Sequence, residues 1–171
     1  MLRTSGLCTG VLFREPHSLD KAFQQDASYI FYEHETPGVD LIHRTVECTK
    51  AGLGLKVFLN LAWRGEAGVA RYVEDQYALA RRIHRRIESR ERFTCPYVPE
   101  SNIVCFRYEG DDALQITIRD RLLADGRYHI SSTEICGTRY LRLTIINPHT
   151  TEDTIEGLLS AIERIAGSLG L

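Results

Sequence analysis

The residue whose type and place point most directly to chemistry is Arg142. It stands in "RYLRLTIINPHTTEDTIEGLL", residues 139 to 159, inside a run that alternates aliphatic residues and threonine like a half-buried strand. Arg139 is excused as lying at the strand's mouth, but Arg142 sits between Leu141 and Leu143, where an unpaired guanidinium is costly to bury. The alternation gives Arg142 the same face as Tyr140, Thr144 and Ile146, opposite Leu141, Leu143 and Ile145. An anion should meet it there, either an internal carboxylate or the carboxylate of a bound molecule, and spacing alone leaves both open.

Tyr29, in "DASYIFYEHETPGVDL", is a second candidate. An aromatic in a polar loop is ordinarily a hydrophobic plug, yet a phenol on a loop that closes over a site can donate a proton. The consecutive Glu33, His34 and Glu35 diverge on any regular element, so only an irregular loop would gather them on one ion, and no metal is expected. The basic run "RRIHRRIESRER" carries Glu88 and Glu91 and turns Ile83 and Ile87 inward, which is the pattern of a solvated helix face rather than a nucleic-acid stripe. No GxSxG, HExxH or Walker pattern occurs.

These residues must be positioned by the elements around them. "GLCTGVLFRE" reads as an apolar strand within ten residues of Met1, a hint of a truncated larger body, and "PHSLDKAF" as a short helical turn. The stretch from Glu47 to Trp63 is apolar nearly all round and predicts a buried helix despite Gly52 and Gly54. Gly65 and Gly68 bracket a turn into an amphipathic helix marked by Val69, Tyr72, Val73, Ala80, Ile83 and Ile87. From residue 102 the segments "NIVCFRYE", "DALQITIRDRLLADG", "YHISSTEI", "TRYLRLTIIN" and "TTEDTIEGLLSAIERIAGSL" predict β-α-β-β-α. Gly126 ends the first of these helices, and Thr150 or Thr151 caps the last.

Composition narrows the partners. The 171 residues, 43% hydrophobic and 26% charged with a net charge of −2, fit one soluble unit, or a small module with an attached arm, whose whole-chain field favours neither nucleic acid nor anionic lipid. Five widely spaced cysteines without a CxxC pair argue against a disulfide framework or a zinc site and for a reducing, cytoplasmic setting. No apolar run approaches the roughly 18 residues of a membrane-spanning helix.

Together, "LCTGVLFRE", "AFQQDASYIF", "VECTKAGLGLKVFLNLAWRGEAG", "NIVCFRY" and "LRLTIINPHTTEDTIEGLL" resemble, in order, the C-terminal part of the pyridoxal-phosphate-dependent group II amino-acid decarboxylases. That family includes the glutamate, cysteine-sulfinate, aromatic-amino-acid and diaminobutyrate enzymes. The resemblance implies an α/β chain from a fold type I, aspartate-aminotransferase-like enzyme. Residues 1–15 would end the large cofactor domain, 16–64 would hold the catalytic loop and an interface helix, and 65–171 would form the small C-terminal domain. It implies that Tyr29 protonates Cα after carbon dioxide leaves and that Arg142 faces a substrate carboxylate. It puts Cys48 in a cofactor-proximal stretch, although Glu47-Cys48-Thr49 departs from the family's Gln-Cys-Gly.

The resemblance also implies pyridoxal 5'-phosphate as the cofactor, an amino-acid substrate, and a homodimer or association with a missing N-terminal portion. The family's Schiff-base lysine follows a histidine directly before the stretch matching "MLRTSGLC", and Lys21, Lys50 and Lys56 all lack that context. The chain alone is therefore expected to be catalytically silent. Two other readings remain: an amino-acid-binding regulatory module, since β-α-β-β-α makes most of a ferredoxin-like unit, and a dimerisation module built on the 47–63 helix.

Overall fold

The computed structural model describes residues 9–15, 17–23, 46 and 51–170. The chain divides into two compact units, residues 2–63 and 64–171. The described elements run α1 (Ser18–Ala22), α2 (Leu53–Glu88), β1 (Phe93–Thr94), β2 (Ile103–Tyr108), α3 (Asp112–Asp125), β3 (Ser131–Ile135), β4 (Thr138–Thr144) and α4 (Glu152–Gly167). None of the described helices is long and apolar enough to cross a membrane.

In the first unit, residues 9–13 form no strand, and Val11 and Leu12 are exposed. Apolar patterning makes a strand only where a neighbouring strand takes up its hydrogen bonds, and none of the described strands does so here. The predicted buried helix also differs. Ala51 and Gly52 are not helical, α2 starts at Leu53, and its apolar residues lie open, with Phe58 at 65% and Trp63 at 81% exposure. All-round hydrophobicity calls for a covering surface without saying that the same chain supplies it. Gly65, at φ 69° and ψ 164°, breaks α2, a conformation a side-chain-bearing residue rarely adopts; Gly68 lies within the helix rather than in a turn.

The second unit is a four-stranded antiparallel sheet in the order β1-β2-β4-β3. β4 lies between β2 and β3, so β2, α3 and β3 make a split β-α-β unit whose centre is filled by the return strand. The turn from β3 to β4 has two residues, Cys136 at φ 50° and Gly137 at φ 74°. Positive φ at both positions is what a tight hairpin matched to the sheet's twist requires.

Alternation sorts the strands into two faces. Val104, Phe106 and Tyr108 of β2, with Leu141, Leu143 and Ile145 at and after β4, are buried. They join Ile83 and Ile87 of α2, Ile118 and Leu122 of α3, and Leu158, Leu159 and Ile162 of α4 in one hydrophobic core. Three helix ends around the core are closed locally. The Asp111 side chain accepts from Leu114 N–H at the start of α3, and Gly126 ends it in the left-handed conformation at φ 75°. Thr151 caps α4 in a reciprocal capping box with Thr154.

Three arginines of the 81–92 run meet carboxylates of α4. Arg82 pairs with Glu152 at 2.9 Å, Arg86 with Glu156, and Arg90 with Glu156 at 2.6 Å and Glu163 at 2.7 Å. The ladder clamps α2 to α4 along the rim of the core. Glu156 and Glu163 are held below the usual carboxylate range chiefly by their hydrogen bonds from Arg86 and Arg90 respectively.

Candidate active site

The other face of the sheet carries the chemistry-bearing residues. Register sets Cys105 of β2 opposite Arg142 of β4, and Ser131 of β3 opposite Arg142 on its other side. Directly opposite residues in an antiparallel pair bring their Cβ atoms to about 5 Å, so Arg142 stands between a thiol and a hydroxyl. Ser131 Oγ donates to the Arg142 carbonyl at 3.3 Å, which leaves the guanidinium unengaged by it.

Three arginines project from β2 and β4, and their fates differ. Arg107 donates through Nη1 to Asp112 Oδ1 at 2.6 Å and to the Arg139 carbonyl at 2.6 Å, and through Nη2 to the Gly110 carbonyl at 2.8 Å. Arg139 pairs with Glu134 at 2.9 Å. Arg142 is half-buried, and among the described residues no carboxylate or other acceptor meets its guanidinium. The internal ion pair that would account for Arg142 as a purely structural charge is thus absent from the described part of the molecule, while its two neighbours on the sheet both have theirs.

The wall beside Arg142 is aromatic. Tyr140, on the same face, is buried at 8% exposure, stacks edge-on to Tyr97 at 5.5 Å between centroids and 71°, and lies 5.7 Å under the Arg107 guanidinium. The Tyr140 hydroxyl holds the Tyr97 phenol above its ordinary value, so it remains a proton-bearing group. Burial pushes the Cys105 thiol up, and the positive charge of Arg142 partly opposes that. A half-buried cation beside neutral, protonated groups is an anion-accepting surface.

Tyr29 and Cys48, and with them the Glu33-His34-Glu35 triplet and Lys50, lie outside the described residues. The structure therefore brings Arg142 together with Cys105, Ser131 and Tyr140. Of these, only Tyr140 was expected on that face. The alternation of β2 carried the signal for Cys105 and Arg107, but the strand pairing that aligns them with β4 is non-local.

The family model described as the pyridoxal-dependent decarboxylase conserved domain matches residues 2–109. Among curated proteins, the chain is 25% identical over 161 residues to a histidine decarboxylase of Drosophila melanogaster, covering 94% of this chain and 19% of that protein. It is 27% identical to a cysteine sulfinic acid decarboxylase of Rattus norvegicus, covering 98% of this chain and 38% of that one. The chain thus spans about a fifth to two fifths of these relatives' length. Among solved structures, Oryza sativa TDC with PLP and tryptamine superposes with a TM-score of 0.77 at 19% identity, over 91% of this chain and 34% of that one, which is a likeness of fold.

That cofactor needs a lysine in a recess with phosphate donors. The described residues do not fit it by themselves: Lys21 and Lys56 are exposed on α1 and α2, and the recess of about 490 Å³ in residues 75–82 and 148–153 contains no lysine.

Proposed function

The chain belongs to the pyridoxal-dependent decarboxylase family, and from that premise we propose that it is the C-terminal portion of a pyridoxal-phosphate-dependent L-amino-acid carboxy-lyase, which releases carbon dioxide from an amino acid to give an amine. On this reading residues 1–15 end the large cofactor domain of a fold type I enzyme, residues 16–64 hold the catalytic loop and an interface helix, and residues 65–171 are the small domain. The observation that carries it is the unpaired Arg142 guanidinium on the open, half-buried face of the sheet. It is a charge that costs stability unless an anion arrives, and an amino-acid substrate brings one.

Each residue then has a task that follows from its chemistry. Arg142 holds a substrate carboxylate. Tyr29 holds the proton delivered to Cα. The exposed apolar side chains of α2, Leu55, Phe58, Leu59 and Trp63, meet the large domain or a second copy, since a patch of that kind marks an interface. The 171-residue chain alone is silent, because its lysines lack the His-Lys context and the described ones are exposed.

The test uses two proteins: the 171-residue chain, and the chain expressed with whatever in-frame sequence precedes Met1. Carbon dioxide release is measured from carboxyl-labelled glutamate, cysteine sulfinate, histidine, aromatic amino acids and 2,4-diaminobutyrate. The longer protein is expected to release it with pyridoxal phosphate, and to lose at least about a hundredfold in Tyr29→Phe and in Arg142→Ala, the scale of one acid-base or charge-binding contribution. The short chain is expected to release none and to yield no lysine adduct after borohydride reduction. A stoichiometric adduct at Lys21, Lys50 or Lys56 overturns the silence of the short chain. Carboxylate binding without cofactor and without turnover in either protein overturns the lyase in favour of an amino-acid-binding module.

A further inference from the structure

A second site lies on the helical side of the sheet, in the recess of about 490 Å³ between α2 and the start of α4. Its floor contains Gln76. This amide is 4% exposed, and its Oε1 has no hydrogen-bond partner among the described residues. An unsatisfied buried amide oxygen is destabilising unless a donor reaches it. The titratable side chains lining the recess are Asp75 from α2, Asp153 from α4, and the pair Arg82 and Glu152. Arg82 and Glu152 neutralise each other at 2.9 Å, whereas Asp75 and Asp153 have no ion-pair partner among the described residues.

Acidic residues in a helix's first turn have an ordinary explanation in the helix dipole, and that covers Glu152 and Asp153. It covers neither Asp75, which comes from the other helix, nor Gln76. The dipole contributes about half a positive charge at the start of α4, with one N–H already capped by Thr151, so two uncompensated carboxylates leave the recess net negative. Its remaining wall is apolar, from Leu79 and Pro148. Among the described residues no group of three or more acidic, histidine or cysteine side chains is arranged to hold a metal ion, and the volume is that of a small organic ligand.

We propose that this recess binds a small primary alkylamine, its ammonium group held by Asp75, Asp153 and the Gln76 carbonyl oxygen and its carbon chain lying on Leu79 and Pro148. Binding here needs neither Arg142 nor a cofactor, so the site is independent of the lyase reading. Amines are nonetheless the product class of that reading.

The full chain is titrated with n-butylamine hydrochloride at neutral pH while the side-chain amide resonances of Gln76 and the backbone amides of residues 152–154 are followed by NMR, with 1-butanol as the uncharged isostere. A saturable shift at Gln76 with the amine and none with the alcohol is expected. Asp75→Asn with Asp153→Asn, both at exposed positions that leave the core intact, should weaken binding at least tenfold. The Gln76→Leu variant should weaken it too, read through residues 152–154. Equal response to the alcohol, shifts of equal size around unrelated carboxylates such as Asp120 and Asp125, no response at tens of millimolar, or full affinity in the double variant would each overturn the proposal.

Discussion

The two faces of one sheet follow opposite rules. Along β2, Val104, Phe106 and Tyr108 are sealed under the helices, while Ile103, Cys105 and Arg107, one residue out of phase, are half-exposed. On the covered side Gln115, fully buried, is answered: it accepts from Tyr108 N–H at 3.1 Å and donates to the Tyr108 carbonyl at 2.8 Å, tying α3 to the end of β2. The open side keeps a cation without a counter-ion. Beneath β2 the packing supplies stability, while the open face keeps a charge available to a ligand, because a group that is already satisfied has nothing to offer one.

The contrast is sharpest in the cysteines. Burial pushes the Cys95 thiol up to about 12 from an ordinary 9.0, which lowers its thiolate fraction about a thousandfold at neutral pH. Iodoacetamide labelling with peptide mapping should modify exposed Cys136 first, half-buried Cys105 next and Cys95 last; early modification of Cys95 would mean the covered face opens readily. Next in size is truncation of the core. Phe106→Ala should cost about 3–5 kcal/mol in urea unfolding, through lost transfer energy and the cavity left behind. Gln115→Leu follows at about 1–3 kcal/mol, since it strands the Tyr108 N–H and carbonyl in an apolar setting.

The rim is weaker and depends on pH. Glu156 and Glu163 have folded-state values depressed from the usual 4.5, so they bind protons less readily when folded. Their contribution is fully present above pH 4.5 and is lost as the pH falls through their folded values. As partly exposed pairs they are worth about 0.5–1 kcal/mol each. Glu156→Gln with Glu163→Gln should flatten the acid limb of a Tm-against-pH curve, the deficit relative to wild type shrinking as the pH falls; an unchanged acid limb would place the acid sensitivity elsewhere.

How much of this was legible in the sequence follows the range of the forces involved. Gly126 and Thr151 were readable as helix ends because a cap is settled within four residues. The alternation around Arg142 was readable for the same reason. β1 has two residues and no periodicity; it exists because Phe93 and Thr94 pair with Tyr108 and Arg107, a non-local fact. The neighbours of Arg142 depend likewise on strand register. Gln76 was concealed by its position, three residues after Val73 and four before Ala80 on the apolar stripe of α2, where a polar residue reads as an interruption rather than as a feature. The stretch from 47 to 63 misled because hydrophobicity reports that a surface is to be covered and not which polypeptide covers it.

Arg142→Ala is the smallest expected effect on stability and the one that tests the comparison most directly. A charge paired inside the fold leaves its partner stranded when it is removed, at a cost of about 3–5 kcal/mol for a buried pair. Arg142 has no such partner among the described residues, and its removal relieves a half-buried, uncompensated charge. The change in unfolding free energy should therefore lie within about 0.5 kcal/mol of zero, as for a surface substitution away from any network. Arg107→Ala, on the same face and in the neighbouring strand, strips three acceptors of their donor and should cost visibly more. Urea unfolding of the two variants side by side decides the matter. A large loss for Arg142→Ala would mean that its guanidinium is answered within the chain and that the open face is built for stability after all; a null result beside a clear loss for Arg107→Ala leaves Arg142 as a charge whose counter-ion comes from outside.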